Sequence, residues 1–134
     1  MKKLKISLIL IFLLFFNNSS FATNWEKLLS PQDYAIYFDF KNQRIEKDLV
    51  KIWVTIDYFR APLSMGGKNL MSVKFLDQYD CENFRVKRYY FMGFNKQMGL
   101  GDPLIVDDSI SKWISVKSGT NLEGLMKSAC RGEQ

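Results

Sequence analysis

The chain has 134 residues, 25% of them charged and 15% aromatic, with a formal charge of +5 and no histidine. This length accommodates one domain behind an export leader, and the lack of histidine removes the commonest general base, metal ligand and near-neutral proton switch. Lys2, Lys3 and Lys5 supply three of the five excess charges, so the rest of the chain carries only +2 and lacks the basic footprint that nucleic-acid binding requires.

The basic start Met1-Lys2-Lys3-Leu4-Lys5, the apolar run Ile6 to Phe16 and the small-residue pattern Ser20-Phe21-Ala22 predict a signal peptide over residues 1–22 and a mature domain over 23–134. The apolar run is shorter than the roughly 20 residues that cross a bilayer, so no transmembrane anchor is expected in the mature chain. Export to the periplasm, the cell surface or the medium follows. Trp25 to Ser30 reads as a short lead-in turn or helix. Tyr34-Ala35-Ile36-Tyr37-Phe38-Asp39-Phe40 alternates as a strand, with Tyr34, Ile36, Phe38 and Phe40 on one face, and Lys41 to Arg44 reads as a turn.

Leu49 to Phe59 gives the clearest strand. Val50, Ile52, Val54, Ile56 and Tyr58 fall on one side, and Lys51, Trp53, Thr55, Asp57 and Phe59 on the other. Pro62 ends it, and Met65-Gly66-Gly67-Lys68-Asn69 supplies a turn before a second strand, Met71 to Cys81. In Asn83 to Met92, alternation assigns Phe84, Val86, Tyr90 and Met92 to one face, interrupted by Arg88, and Arg85, Lys87, Tyr89 and Phe91 to the other. Gly93 to Gly101 reads as a loop, and Leu104-Ile105-Val106 and Lys112 to Val116 as short strands.

Thr120 with Glu123 forms a capping box at a helix start. Beyond it, Leu122, Leu125, Met126 and Ala129 fall at i, i+3, i+4 and i+7, the stripe of an amphipathic helix with Cys130 at its end. In an exported chain two cysteines pair, so Cys81 is expected to bond Cys130. The fold class is α+β: a single domain, a mainly antiparallel sheet and a C-terminal amphipathic helix tethered to it by that disulfide.

No arrangement of a nucleophile with an activating base is visible, and an enzyme is not expected. Asp77, Asp80 and Glu82, and Asp102, Asp107 and Asp108, do not follow a calcium-loop spacing, so turn-capping or solvated carboxylates are expected, with no metal and no cofactor. Gly99-Leu100-Gly101 lacks the context of a phosphate cradle. The stretch with binding potential is Arg85-Val86-Lys87-Arg88-Tyr89-Tyr90, where basic side chains are interleaved with aromatic ones and Arg85, Lys87 and Tyr89 share a strand face; Arg85, Lys87, Arg88 and Tyr89 are the candidate protein-binding residues.

Several motifs in order resemble the surface-adhesin protein E family: Trp25, Tyr37-Phe38-Asp39, Trp53 within Lys51-Ile52-Trp53-Val54, Ser72-Val73-Lys74, Tyr79-Asp80-Cys81, Met98-Gly99-Leu100-Gly101, Trp113, Ser118 and Cys130. The resemblance covers nearly the whole mature chain. It implies the same sheet, helix and disulfide, an adhesin role toward host proteins such as laminin, vitronectin and plasminogen, and a homodimer. Two departures accompany it. No cysteine stands at the expected cleavage point to carry a lipid, and Lys117 precedes Ser118 where the family often has proline. An accessory or structural role in the periplasm is the alternative expectation.

Overall fold

The strand Leu49–Tyr58 forms around the run of β-branched residues Val50, Ile52, Val54 and Ile56, whose alternation buries one side of a pleated ribbon. It lies near the centre of the sheet. The computed structural model describes residues 26–29 and 33–132; the expected signal peptide over 1–22 and Trp25 lie outside the described residues. Among these, the elements in chain order are β1 Glu26–Leu29, β2 Tyr34–Phe38, β3 Arg44–Glu46, β4 Leu49–Tyr58, β5 Leu63–Met65, β6 Lys68–Leu70, β7 Ser72–Asp80, β8 Arg85–Phe94, β9 Pro103–Asp107, β10 Ile114–Ser115 and α1 Asn121–Arg131.

The main sheet runs β1-β2-β4-β7-β8-β10, with β3 added beside β4 and β9 beside β8, and every pairing is antiparallel. The α+β architecture expected from the pattern is the observed one. The segment expected as a lead-in turn or helix is instead strand β1, because the ladder offered by β2, rather than local propensity, sets the conformation of four residues. The expected turn at Lys41 to Arg44 is a 3-10 turn, Phe40–Asn42, capped by Asp39, and it leads directly into β3. Phe40 therefore leaves the strand alignment, yet it stays buried and stacks on Phe38 at 5.6 Å.

Directly opposed residues in an antiparallel pair share a face. On one face lie Ile36, Phe38, Val50, Ile52, Val54, Val73, Phe75, Tyr79 and Val86, the body of the core. α1 packs on this face with Leu125, Met126 and Ala129 buried, the stripe read from the sequence, and Leu122 packs beside them. Thr120 Oγ1 accepts the Glu123 backbone N–H at 3.3 Å, while Glu123 reaches back to the N–H of Gly119 at 3.0 Å, one residue before the cap. The Cys81–Cys130 bond joins the end of β7 to the last turn of α1. Farther along the same face, Leu70 of the β5–β6 hairpin is fully buried. The two-residue turn of that hairpin needs φ of +57° and +71°, values that Gly66 and Gly67 adopt without Cβ strain.

Candidate binding face of the sheet

One end of the opposite face is shielded. There the loop before β9 folds over it: the Met98 N–H donates to Asp57 Oδ1 at 2.8 Å, the Gly99 N–H donates to Ser72 Oγ at 2.8 Å, and Ser72 in turn donates to the Lys96 carbonyl. Away from this loop the face carries Lys51 and Trp53 from β4, Leu76 and Gln78 from β7, and Arg85, Lys87, Tyr89 and Tyr90 from β8.

One irregularity arranges the site. Between β7 and β8 the register steps from Leu76↔Tyr90 to Asp77↔Arg88, leaving Tyr89 as an extra residue. Such a bulge shifts the alternation by one. Arg85, Lys87 and Tyr89 therefore face outward on one side of it, and Tyr90, Met92 and Phe94 face outward on the other. Val86, Arg88, Phe91 and Gly93 turn toward the core. The expected grouping of Val86 with Tyr90 and Met92, and of Tyr89 with Phe91, is corrected accordingly.

Alternation ahead of the bulge divides the four candidate residues. Arg85, Lys87 and Tyr89 come together on the open face as read. Arg88 does not join them. It lies on the helix side, over the Phe75 ring at 4.3 Å, and donates to the buried Asp77 carboxylate from Nε at 2.8 Å and Nη2 at 2.9 Å. Burial pulls its pKa down, but the hydrogen bonds and charge of Asp77 prevail and hold it above the ordinary arginine value.

On the open face, cations sit on rings. Lys51 Nζ stands 3.5 Å from the Tyr89 centroid, Lys87 lies 5.7 Å from Tyr89 and 5.6 Å from Trp113, and the Arg85 guanidinium lies 4.7 Å above Trp113. Tyr89 donates its hydroxyl to Gln78 Oε1 at 3.1 Å, which fixes the ring between the two lysines. Arg85 also donates to Asp80 Oδ2 at 2.8 Å. The amide of Asn83, against some opposition from burial and with help from Arg85, holds the Asp80 carboxyl below its usual range. Trp53 meets Tyr90 edge-on at 6.0 Å. Beside Trp53 opens a groove of about 550 Å³ lined by Asn42, Gln43, Arg44, Lys51, Trp53 and Leu76.

Arg44, Trp53 and Trp113 also stand at this face or its groove, and the sequence pattern does not mark them as binding residues. Alternation already placed Lys51 and Trp53 together away from the core of β4; what the sequence lacked was the register that sets them beside Gln78, Lys87 and Tyr89. The carboxylates serve local structure: Asp77 pairs with Arg88, Asp80 caps the turn at Asn83, and Asp107 accepts from Ser109. Both cysteines are consumed in the disulfide. Ring platforms, fixed cations and amides can hold a partner by stacking, charge and hydrogen bonds.

A family model described as surface-adhesin protein E matches residues 25–131. Among solved structures, protein E from non-typeable Haemophilus influenzae is similar at 17% identity with a TM-score of 0.54, over 81% of this chain and 84% of that one. Crystal form II of Haemophilus influenzae protein E is similar at 13% identity with a TM-score of 0.61, over 84% of this chain and 91% of that one. At such identities the likeness is one of fold. No curated protein sequence matches the chain.

Proposed function

The chain belongs to the surface-adhesin protein E family, and on that premise we propose that it is an exported, non-enzymatic binding module that engages a host matrix or serum protein through the open face of its sheet. The observation that carries this reading is the cluster of Lys51, Lys87 and Arg85 on the rings of Tyr89 and Trp113. Aromatic side chains and arginine are the residues enriched where proteins meet, and here they stand on the sheet side that α1 leaves uncovered. Laminin, vitronectin and plasminogen are the partners that the family resemblance suggests.

The reading is tested by measuring binding of the purified chain to those three proteins, alongside a variant with Lys87→Glu and Tyr89→Ala. We expect saturable binding at micromolar concentration or below, weakened in the variant. Absence of saturable binding to all three, or full binding by the variant, would overturn it. Protease treatment of intact cells distinguishes display from periplasmic residence, since a periplasmic chain survives.

The homodimer belongs to the same proposal. β9 pairs with β8 on one side, and Leu104, Val106, Ile110 and Ile114 are exposed along and just beyond it, an apolar edge of the kind that adds to a second sheet. Sedimentation equilibrium with Val106→Glu tests it; a wild-type monomer at all concentrations would rule it out.

A further inference from the structure

Arg44 and Lys51 are directly opposed across β3 and β4, and Lys51 is opposed to Gln78 and Gln78 to Lys87 across β7 and β8. The four residues therefore form one row across the strands on the open face. With neighbouring strands about 4.8 Å apart, Arg44 stands about 5 Å from Lys51 at the backbone, and Lys51 about 10 Å from Lys87. Like charges directly opposed in a sheet are unfavourable. None of the ion pairs among the described residues involves Arg44, Lys51 or Lys87. The nearby carboxylates are occupied, Asp39 by Asn42 and Asp80 by Asn83 and Arg85, while Glu46 lies at the rim, two residues beyond Arg44.

A row of unneutralised cations calls for an anion, and the groove beside it narrows which kind. Trp53 and Leu76, apolar and partly exposed, line it together with Asn42, Gln43 and Arg44; the Asn42 amide N–H groups are spent on Asp39, which leaves its oxygen and the Gln43 amide for a ligand. A pyranose ring has matching parts, with a C–H face to stack on indole and hydroxyls at its edge for the amides. An extended acidic peptide fits less well. The backbone donors and acceptors of β4, β7 and β8 are used within the sheet, so a peptide laid across this face gains no ladder bonds.

Resting on the reading of this face as the binding surface, we infer that it takes a linear sulfated polysaccharide, with a sugar ring stacked on Trp53 and successive sulfates on Arg44, Lys51 and Lys87. The groove volume lies within the range of sites that bury small ligands. Tyr89, fixed between Lys51 and Lys87, forms the floor over which the chain passes from one cation to the next.

Calorimetric titration of the purified chain with a heparin hexasaccharide tests the inference, with a hyaluronan hexasaccharide (carboxylates without sulfate) and poly-glutamate as comparison anions. We expect heparin to bind, and to bind more weakly as salt rises. Arg44→Glu with Lys51→Glu should weaken it at least about tenfold, and Lys68→Glu with Lys127→Glu, which changes the net charge equally away from this face, should weaken it less than about threefold. Trp53→Ala should also weaken it, with Trp53→Phe retaining most of the affinity.

Equal loss in the two double variants would reduce the effect to overall charge and overturn the inference. So would hyaluronan or poly-glutamate binding as tightly as heparin. The matrix and serum proteins are titrated in parallel. Binding to them without heparin binding defeats the glycan assignment alone, and binding to neither defeats the protein-binding reading as well.

Discussion

Arg88 grips Asp77 with two donors, Nε to Oδ1 at 2.8 Å and Nη2 to Oδ2 at 2.9 Å, across the bulge where β8 holds one residue more than β7. The Asp77 side chain is 1% exposed and that of Arg88 39%. The carboxylate also lies within reach of the Tyr79 hydroxyl, whose pKa is pushed well above its ordinary value, first by burial and then by the Asp77 charge.

Removing the arginine alone leaves that buried carboxylate without its partner. In a fully buried pair this costs about 3–5 kcal/mol; the partial exposure of Arg88 lets water in, and we expect about 2 kcal/mol for Arg88→Met. Urea unfolding checks it. Adding Asp77→Leu should recover part of the loss, and a double variant as unstable as the sum of the singles would show that the two residues do not act as a pair.

The Cys81–Cys130 bond joins residues 49 apart in the sequence. In the loop-closure account such a link stabilises by about 4 kcal/mol, and an eleven-residue helix is marginal without it. Cys130→Ala is expected to lower stability by roughly that amount and to reduce helical circular dichroism while the strand signal persists. An unchanged melting temperature would contradict the assignment of the bond as the staple of α1.

Gly93 on β8 leaves room for the buried Leu70 of the hairpin; a Cβ there would stand 2.6 Å from Leu70 Cδ1. Gly93→Ala should therefore destabilise by about 1–3 kcal/mol through overpacking. Combining it with Leu70→Ala should cost less than the sum of the two changes in a thermal-unfolding cycle. Strict additivity would mean the hairpin does not press on the sheet at this point.

Asp80 titrates below the ordinary carboxylate range because the Asn83 amide, and after it Arg85, favour its charged form. A group whose folded pKa is depressed contributes stability above its unfolded value, near 3.9, and that stability disappears as pH falls through the folded value. The melting temperature should thus decline below about pH 4. Asp80→Asn should be less stable than wild type at neutral pH and show a shallower decline in acid. Parallel profiles for the two proteins would exclude Asp80 as a contributor.

Much of the architecture was legible because its signals are local. Val50 to Tyr58 announce a strand by alternation, Thr120 and Glu123 announce a helix start, and Leu125, Met126 and Ala129 repeat at helical spacing, so the sequence by itself determined β4, β7, α1 and, with two cysteines in an exported chain, their staple. β1 and β3 were not legible. Segments of three or four residues take their conformation from the strand they meet, which leaves no period to read.

The candidate face was legible only by halves. Arg85, Lys87 and Tyr89 share a side by simple alternation, and so do Lys51 and Trp53, but nothing along the chain says that these two sets lie side by side or that Arg44 extends their row. Register belongs to a pair of strands, and one added residue reverses every side chain beyond it. The bulge at Tyr89 did this: Val86 and Arg88 stay on the core side by simple alternation, where Arg88 meets the buried Asp77, while Tyr90 beyond the bulge turns outward to Trp53, a step in register that exists only in the pairing of β7 with β8 and that no single strand expresses.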